Sequence, residues 1–275
     1  MSEVATATIG SLLRGSGLPR SEAQLLLRIL LGCERAWLIA HAEESVDPSR
    51  LHTAQDWFAR RRGGEPIAYI TGVREFFGLA LRVTPAVLIP RPETELLVEL
   101  ALERIPAGGG RVLDLGTGSG AVALALAHER SGLQITATDI SAAALAVALE
   151  NAQRHEVAID FVLGDWFEAF GPERFDLIVS NPPYVARQDP HLEQGDVCFE
   201  PRLALAGGEG GMKCIGDIAA GARACLRPGG WLLFEHGYDQ RARCIALLRG
   251  LGYTRVGDFS DLAGLPRVCA GRWLG

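Results

Sequence analysis

Four consecutive residues, Asn181-Pro182-Pro183-Tyr184, bring together an amide side chain, stiff backbone carbonyls and an aromatic ring. That set suits a planar amino nitrogen, since two oxygens can accept its hydrogens while the ring packs on its flat face. The four follow the apolar run Phe175-Asp176-Leu177-Ile178-Val179-Ser180. Such a run closed by two prolines predicts a buried strand that stops abruptly, because neither proline can donate to a sheet ladder. In an open α/β sheet the carboxyl ends of strands face the ligand. The turn is therefore expected at a binding edge, and the bland alternative is a rigid turn with no chemistry.

A second constellation precedes it. Arg111-Val112-Leu113-Asp114-Leu115 leads into Gly116-Thr117-Gly118-Ser119-Gly120, a strand feeding a glycine-rich turn and then a helix. Glycines there permit positive φ and let a ligand approach the backbone. The Gly-x-Gly-x-Gly spacing is one residue shorter than a dinucleotide fingerprint. Asp114, two residues before the turn, is poor company for a pyrophosphate but suits the ammonium and sulfonium charges of S-adenosylmethionine. Asp139 ends the next strand, 19 residues past Gly120, placed to accept hydrogen bonds from ribose hydroxyls. Asp165 and Trp166 end the third strand, where the acid can meet an adenine amino group and the indole can pack on the purine. Read alone, Asp139 is equally a helix cap and Trp166 a core aromatic.

These residues need a sheet to hold them. Strands are expected over 111–115, 135–139, 160–163, 176–180 and 231–235, with helices over 121–129, 142–155 and 212–226. The alternation is that of a doubly wound, mostly parallel α/β sheet. Two tail strands, 253–259 and 267–272, follow one another without a helix and are expected to pair antiparallel. Upstream, residues 1–72 read as helical. Ser21 and Gln24 form a capping-box pattern, Gly32 can close that helix, and Asp47-Pro48 opens another that ends in Arg60-Arg61-Arg62. A basic helix end complements the helix dipole, and this is preferred to a binding patch. Residues 73–92 read as a short β-hairpin linker, with strand-like runs at 76–83 and 87–89 split by Thr84-Pro85-Ala86.

The chain has 275 residues, 48% hydrophobic and 22% charged, with a formal net charge of −6. That balance is ordinary for a globular protein and carries no electrostatic footprint for general nucleic-acid binding. The first 72 residues hold eight basic and eight acidic side chains. Six scattered cysteines lack any Cys-x-x-Cys pair, so reduced thiols are expected. His41, His52, His128, His155 and His191 have no metal-ligand spacing, and no metal is expected. Without a signal or membrane segment in the sequence, a cytoplasmic location is expected.

The order of motifs resembles the class I S-adenosylmethionine-dependent methyltransferases. A narrower resemblance rests on Ile89-Pro90-Arg91-Pro92-Glu93-Thr94-Glu95, Asp114–Gly120, Gly164-Asp165-Trp166-Phe167, Asn181–Tyr184, Gln188–Leu192, Gly195-Asp196-Val197 and Phe199-Glu200-Pro201. Together they resemble the peptide chain release factor N5-glutamine methyltransferases, over nearly the whole chain. The resemblance implies a seven-stranded methyltransferase domain at 93–275 and a helical substrate-docking domain at 1–72. The implied substrate is the glutamine of the Gly-Gly-Gln loop in class I peptide chain release factors, and the implied cofactor product is S-adenosylhomocysteine.

By the same resemblance, the Asn181 oxygen and the Pro182 carbonyl accept the amide hydrogens, and Tyr184 walls the glutamine pocket beside Pro183. Arg91 and Thr94 are read as contacts for the methionine end of the cofactor, and Glu200-Pro201 as either a brace for the loop over the substrate or simple turn structure. Glu235-His236, at a strand end, is read as structural rather than acid–base. The alternatives are a methyltransferase for a ribosomal-protein glutamine, an adenine-N6 nucleic-acid methyltransferase, and a non-catalytic S-adenosylmethionine-binding module. A neutral helical domain argues against a DNA enzyme, and an intact Asn181 argues against a dead one.

Overall fold

The computed structural model describes residues 7–171 and 174–275, so residues 1–6 of the expected helical segment lie outside the described residues. The chain divides into two compact units, Met1–Gly72 and Val73–Gly275.

The first unit holds α1 (Ile9–Gly15), α2 (Arg20–Leu31), α3 (Arg35–Ala40), α4 (Pro48–Arg62) and α5 (Ile67–Thr71). Leu26, Leu27, Leu38, Phe58 and Ile70 form its own core. Asp47 caps α4 by accepting the Ser49 N–H, with Pro48 in the first turn, and Gly32 ends α2 at φ 66°. The capping box at Ser21 and Gln24 does not form. Helix α2 starts two residues earlier than a Ser21 cap would set it, directly after Pro19, so Ser21 already lies inside the first turn and Gln24 is buried. The arginines ending α4 are internal ties: Arg60 binds Glu65, Arg61 binds Glu22, and Arg62 donates to the Ser16 carbonyl.

The second unit opens with a hairpin of β1 (Val73–Phe76) and β2 (Leu79–Arg82). Its turn is Phe77-Gly78, both at positive φ (50° and 76°), the conformation that matches strand twist in a two-residue hairpin. The turn therefore comes earlier than expected from Thr84-Pro85-Ala86. Val87 and Ile89 are buried without joining a sheet. The hairpin packs with the second unit, since Phe76, Leu79 and Leu81 share a core with the sheet residues Val112, Leu177 and Val179.

After a 3-10 turn at Pro92–Thr94 come α6 (Glu95–Arg104), β3 (Arg111–Leu115), α7 (Ala121–Glu129), β4 (Gln134–Asp139), α8 (Ala142–Arg154), β5 (Asp160–Leu163) and β6 (Phe175–Ser180). They are followed by α9 (Arg202–Leu205), α10 (Lys213–Cys225), β7 (Leu226–Glu235), α11 (Arg241–Gly250), β8 (Thr254–Ser260) and β9 (Pro266–Arg272). Seven strands form one sheet in the order β5-β4-β3-β6-β7-β9-β8. The first five run parallel, while β9 is antiparallel to both β7 and β8.

Alternate residues of each central strand face opposite layers. Leu177 and Val179 join α6 and α7 in one core, and Ile178 joins α10 and α11 in the other. Helices α9 and α11 escaped the sequence reading, and the start of β7 was misplaced. Helix α11 is short, with only Cys244 and Leu248 buried one turn apart. Strand β7 begins at Leu226 rather than Trp231, because it pairs once with Phe175, bulges through Pro228-Gly229 and rejoins β6 at Leu177.

Candidate active site

The chain order reverses between β3 and β6, since β4 and β5 lie to one side of β3 and the later strands to the other. Ligands bind at such a switch point, beyond the carboxyl ends of the strands. In register, Leu115 pairs with Thr138 and with Ser180, and Ser180 with Phe234. One residue further on lie Gly116, Asp139, Asn181 and Glu235. Sheet hydrogen bonding alone thus gathers residues that are far apart in the sequence onto a single row.

A cavity of about 330 Å³ opens there, within the range of small-molecule sites. Its wall includes Asp114, Gly116, Thr117, Gly118, Ser119, Asp139, Asp165, Trp166, Asn181 and Pro183. Gly120, Pro182 and Tyr184 are not in the wall. Gly120 caps α7 at φ 83°, and a Cβ there would meet Leu124 Cδ1 at 2.3 Å, so its role is packing the helix onto the turn. Pro182 is buried, and Tyr184 turns its ring into the core beneath α10. Sequence spacing marked these three but cannot tell a wall residue from the residue behind it.

The glycine-rich turn is held from several sides. The Thr117 N–H donates to the Thr138 carbonyl at 2.8 Å, and the Thr117 hydroxyl to Asp114 Oδ2 at 2.7 Å. Asp139 accepts the Gly118 N–H through one oxygen and the Ser141 N–H through the other, each at 2.9 Å. Ser141, not Asp139, caps α8. Trp166 sits at φ 43°, with its ring 3.4 Å from where a Gly116 side chain would begin. A Cβ at Gly116 would just touch the indole, but the backbone φ of 69° there is one that side chains rarely adopt, so substitution strains the turn beside it.

Burial raises the affinity of these carboxyls for protons. Asp114, almost fully buried, is pushed up to about 7 by loss of solvent, partly offset by the Thr117 hydroxyl. Burial also raises Asp139, offset by the backbone N–H groups of Ser141 and Gly118.

At the Asn181 end, the amide nitrogen donates to the Thr94 hydroxyl at 3.1 Å, and that hydroxyl donates to Glu235 Oε2 at 2.6 Å. The Tyr184 hydroxyl donates to Glu235 Oε1 at 2.9 Å. Burial and the adjacent Glu235 carboxyl raise the Tyr184 phenol above its ordinary range. The Tyr184 carbonyl accepts Gln240 Nε2 at 2.9 Å. Arg91, expected at the cofactor, instead pairs with the buried carboxylate of Glu200 and so ties the Pro90 turn to the segment before α9.

Sequence reasoning missed three supports. Asn151 in α8 and Gln240 before α11 belong to no motif, and only their burial as polar residues marks them. Gly207 and Gly211 press on the turn, since added Cβ atoms would meet the Pro183 oxygen at 2.3 Å and the Tyr184 oxygen at 2.1 Å. The cluster Gly207-Gly208-Glu209-Gly210-Gly211 was the available signal.

Comparison with known proteins agrees with this geometry. Residues 5–72 match the PrmC N-terminal domain and residues 92–200 the methyltransferase small domain. A methyltransferase structure from Pyrococcus furiosus shares the fold, with a TM-score of 0.55 at 21% identity, covering 78% of this chain and 96% of that one. The release factor glutamine methyltransferase of Bordetella pertussis is 50% identical, over 94% of this chain and 97% of its own length. That of Salmonella typhimurium is 47% identical, over 95% of both. Similarity of that extent, running through both units and the whole site, makes this chain a member of the release factor glutamine methyltransferase family.

Proposed function

We propose that this protein transfers a methyl group from S-adenosylmethionine to the side-chain amide nitrogen of the glutamine in the Gly-Gly-Gln loop of class I release factors. The observation that carries this reading is the Asn181 amide, which gives its N–H to Thr94 at the cavity wall and so leaves its oxygen to accept. The wall suits the cofactor: Asp114 for the ammonium, Asp139 for the ribose hydroxyls, Asp165 and Trp166 for the adenine. When bound, S-adenosylmethionine supplies an electrophilic methyl, which bonds to nitrogen as the carbon–sulfur bond breaks, releasing S-adenosylhomocysteine and one proton.

The residues of the chain prepare the nitrogen. An amide lone pair is delocalised into its carbonyl and is a poor nucleophile. The Asn181 oxygen and the Pro182 carbonyl accept the two N–H groups and hold them out of the amide plane, which frees the lone pair. Pro183 restricts the entry. The remaining contribution is alignment, which converts a weak nucleophile into a reactive one by proximity. The Met1–Gly72 unit is the docking element for the release factor. Exposed apolar side chains on its helices, Leu25, Ile29, Trp37 and Ile39, support this.

The test is methyl transfer from labelled cofactor to purified release factor, to the same factor with its loop glutamine replaced, to ribosomal proteins and to DNA. Label should appear only on the intact release factor. Asn181→Ala should lower kcat about 10²–10³-fold while cofactor affinity is kept, by analogy with removing one preorganised hydrogen-bonding group. Label on DNA or on a ribosomal protein in preference to the release factor would overturn the reading.

A further inference from the structure

Asn181 can serve as an acceptor only if its amide is turned one way round. Rotation by half a turn about the side chain exchanges oxygen for NH2 at almost no steric cost, and an NH2 facing the substrate amide would oppose two donors. Something must choose between the two orientations.

We propose that Thr94 and Glu235 are positioning residues that set the orientation of the Asn181 amide, an inference that rests on the acceptor role given to Asn181 above. Glu235 is buried at the end of β7, one residue beyond the Ser180–Phe234 pair and so beside Asn181. Its carboxylate oxygens accept from different hydroxyls, Thr94 at 2.6 Å and Tyr184 at 2.9 Å. Burial raises the affinity of this carboxyl for a proton, while the Thr94 and Tyr184 hydroxyls that both donate to it favour the ionised form, which has no proton to give. The Thr94 hydroxyl, also buried, has a single proton and commits it to Glu235. Toward Asn181 it therefore presents only lone pairs, and the group that meets it at 3.1 Å must be the NH2. The oxygen of Asn181 is left pointing away from Thr94. Reversing Thr94 would reverse Asn181.

The second branch serves the same turn. Through Tyr184, Glu235 also holds the far end of Asn181–Tyr184, so one carboxylate anchors both ends of the motif. An amide at position 235 cannot accept both protons. It would either reverse Thr94, and with it Asn181, or leave the Tyr184 hydroxyl without its acceptor and loosen the turn.

The experiment compares Thr94→Val, Thr94→Ser and Glu235→Gln with Asn181→Ala, measuring kcat on release factor, cofactor affinity and the melting temperature of each. Thr94→Val keeps the shape but removes the oxygen, and is expected to lower kcat about 10–100-fold with cofactor affinity within about twofold, as for loss of an oriented polar group. Thr94→Ser restores the hydroxyl and should recover most of that loss. Glu235→Gln should lower kcat, and combining it with Thr94→Val should cost no more than the worse single change, since both act on one element. Near-normal kcat for Thr94→Val, failure of Thr94→Ser to restore it, or losses that multiply in the double variant would overturn the proposal. If Asn181→Ala itself stays active, the acceptor reading fails. If it is inactive while Thr94→Val is normal, only the relay fails.

Discussion

Asn151 holds the backbone carbonyl of Ser119 at 2.9 Å, so the glycine-rich turn is pinned by a fully buried side chain from α8, the helix after the next strand. The same amide also accepts the Arg82 N–H at 2.7 Å and donates to the Arg82 carbonyl at 3.0 Å. It thus joins the hairpin, α8 and the site in one contact set. Replacing Asn151 by Ala strands three backbone groups, and a loss of roughly 2–4 kcal/mol is expected from unmet buried polar groups. Thermal melting should fall by several degrees, and cofactor affinity should fall with it. An unchanged melting point would show that water replaces the side chain.

Cofactor binding should depend on pH through Asp114. Its carboxyl titrates near 7 in the fold, against an ordinary 3.8. Between those values the folded protein holds a proton that the unfolded chain does not. Its contribution is therefore fully present at low pH and is lost as pH rises through about 7. A bound ammonium favours the ionised form, so affinity should move the opposite way. It should be about tenfold weaker at pH 6 than at pH 8, following the ionised fraction. Calorimetric titration across that range checks this, and Asp114→Asn should flatten the profile.

Gly211→Ala tests how closely the acceptor turn is held. A methyl there would lie 2.1 Å from the Tyr184 carbonyl oxygen, so the backbone of the motif must shift. Displacements of about 1 Å near reacting groups cost on the order of 10²-fold in rate. The loss should fall on kcat, with the glycine-rich turn and cofactor affinity little changed. Equal kcat for variant and parent would show that the turn tolerates the shift.

A chain of residues 73–275 should fold and bind cofactor, because both halves of its core and the whole cavity wall lie within it. It should lose most activity on intact release factor if the helical unit docks the substrate. Comparable kcat/KM for the two forms would reassign that unit to stability.

The sheet and the cavity wall were legible because strand periodicity and turn chemistry are local signals. Asp114, Gly116–Ser119, Asp139, Asp165, Trp166 and Asn181 were all marked by position at strand ends, and all reach the cavity. What lay beyond sequence was depth and direction. Tyr184 carries the motif's ring, yet its hydroxyl faces Glu235, 51 residues later. Arg91 was read as a ligand for the cofactor but spends its charge on Glu200, 109 residues away. Asn151 is polar inside an Ala-rich helix and looks like a surface residue until the hairpin covers it. Local patterns cannot report partners chosen by sheet register.

Asn181 and Glu235 follow directly from Ser180 and Phe234, paired residues of neighbouring parallel strands. Their separation is thus inherited from the interstrand spacing at the centre of a seven-stranded sheet, a part that opens only when the whole fold opens. Warming should not separate these two residues while the sheet stays intact. Inactivation by heat should therefore coincide with calorimetric melting of the second unit, and amide protons of β6 and β7 should exchange last. A substitution that moves that melting point should carry the upper working temperature of the enzyme with it, degree for degree.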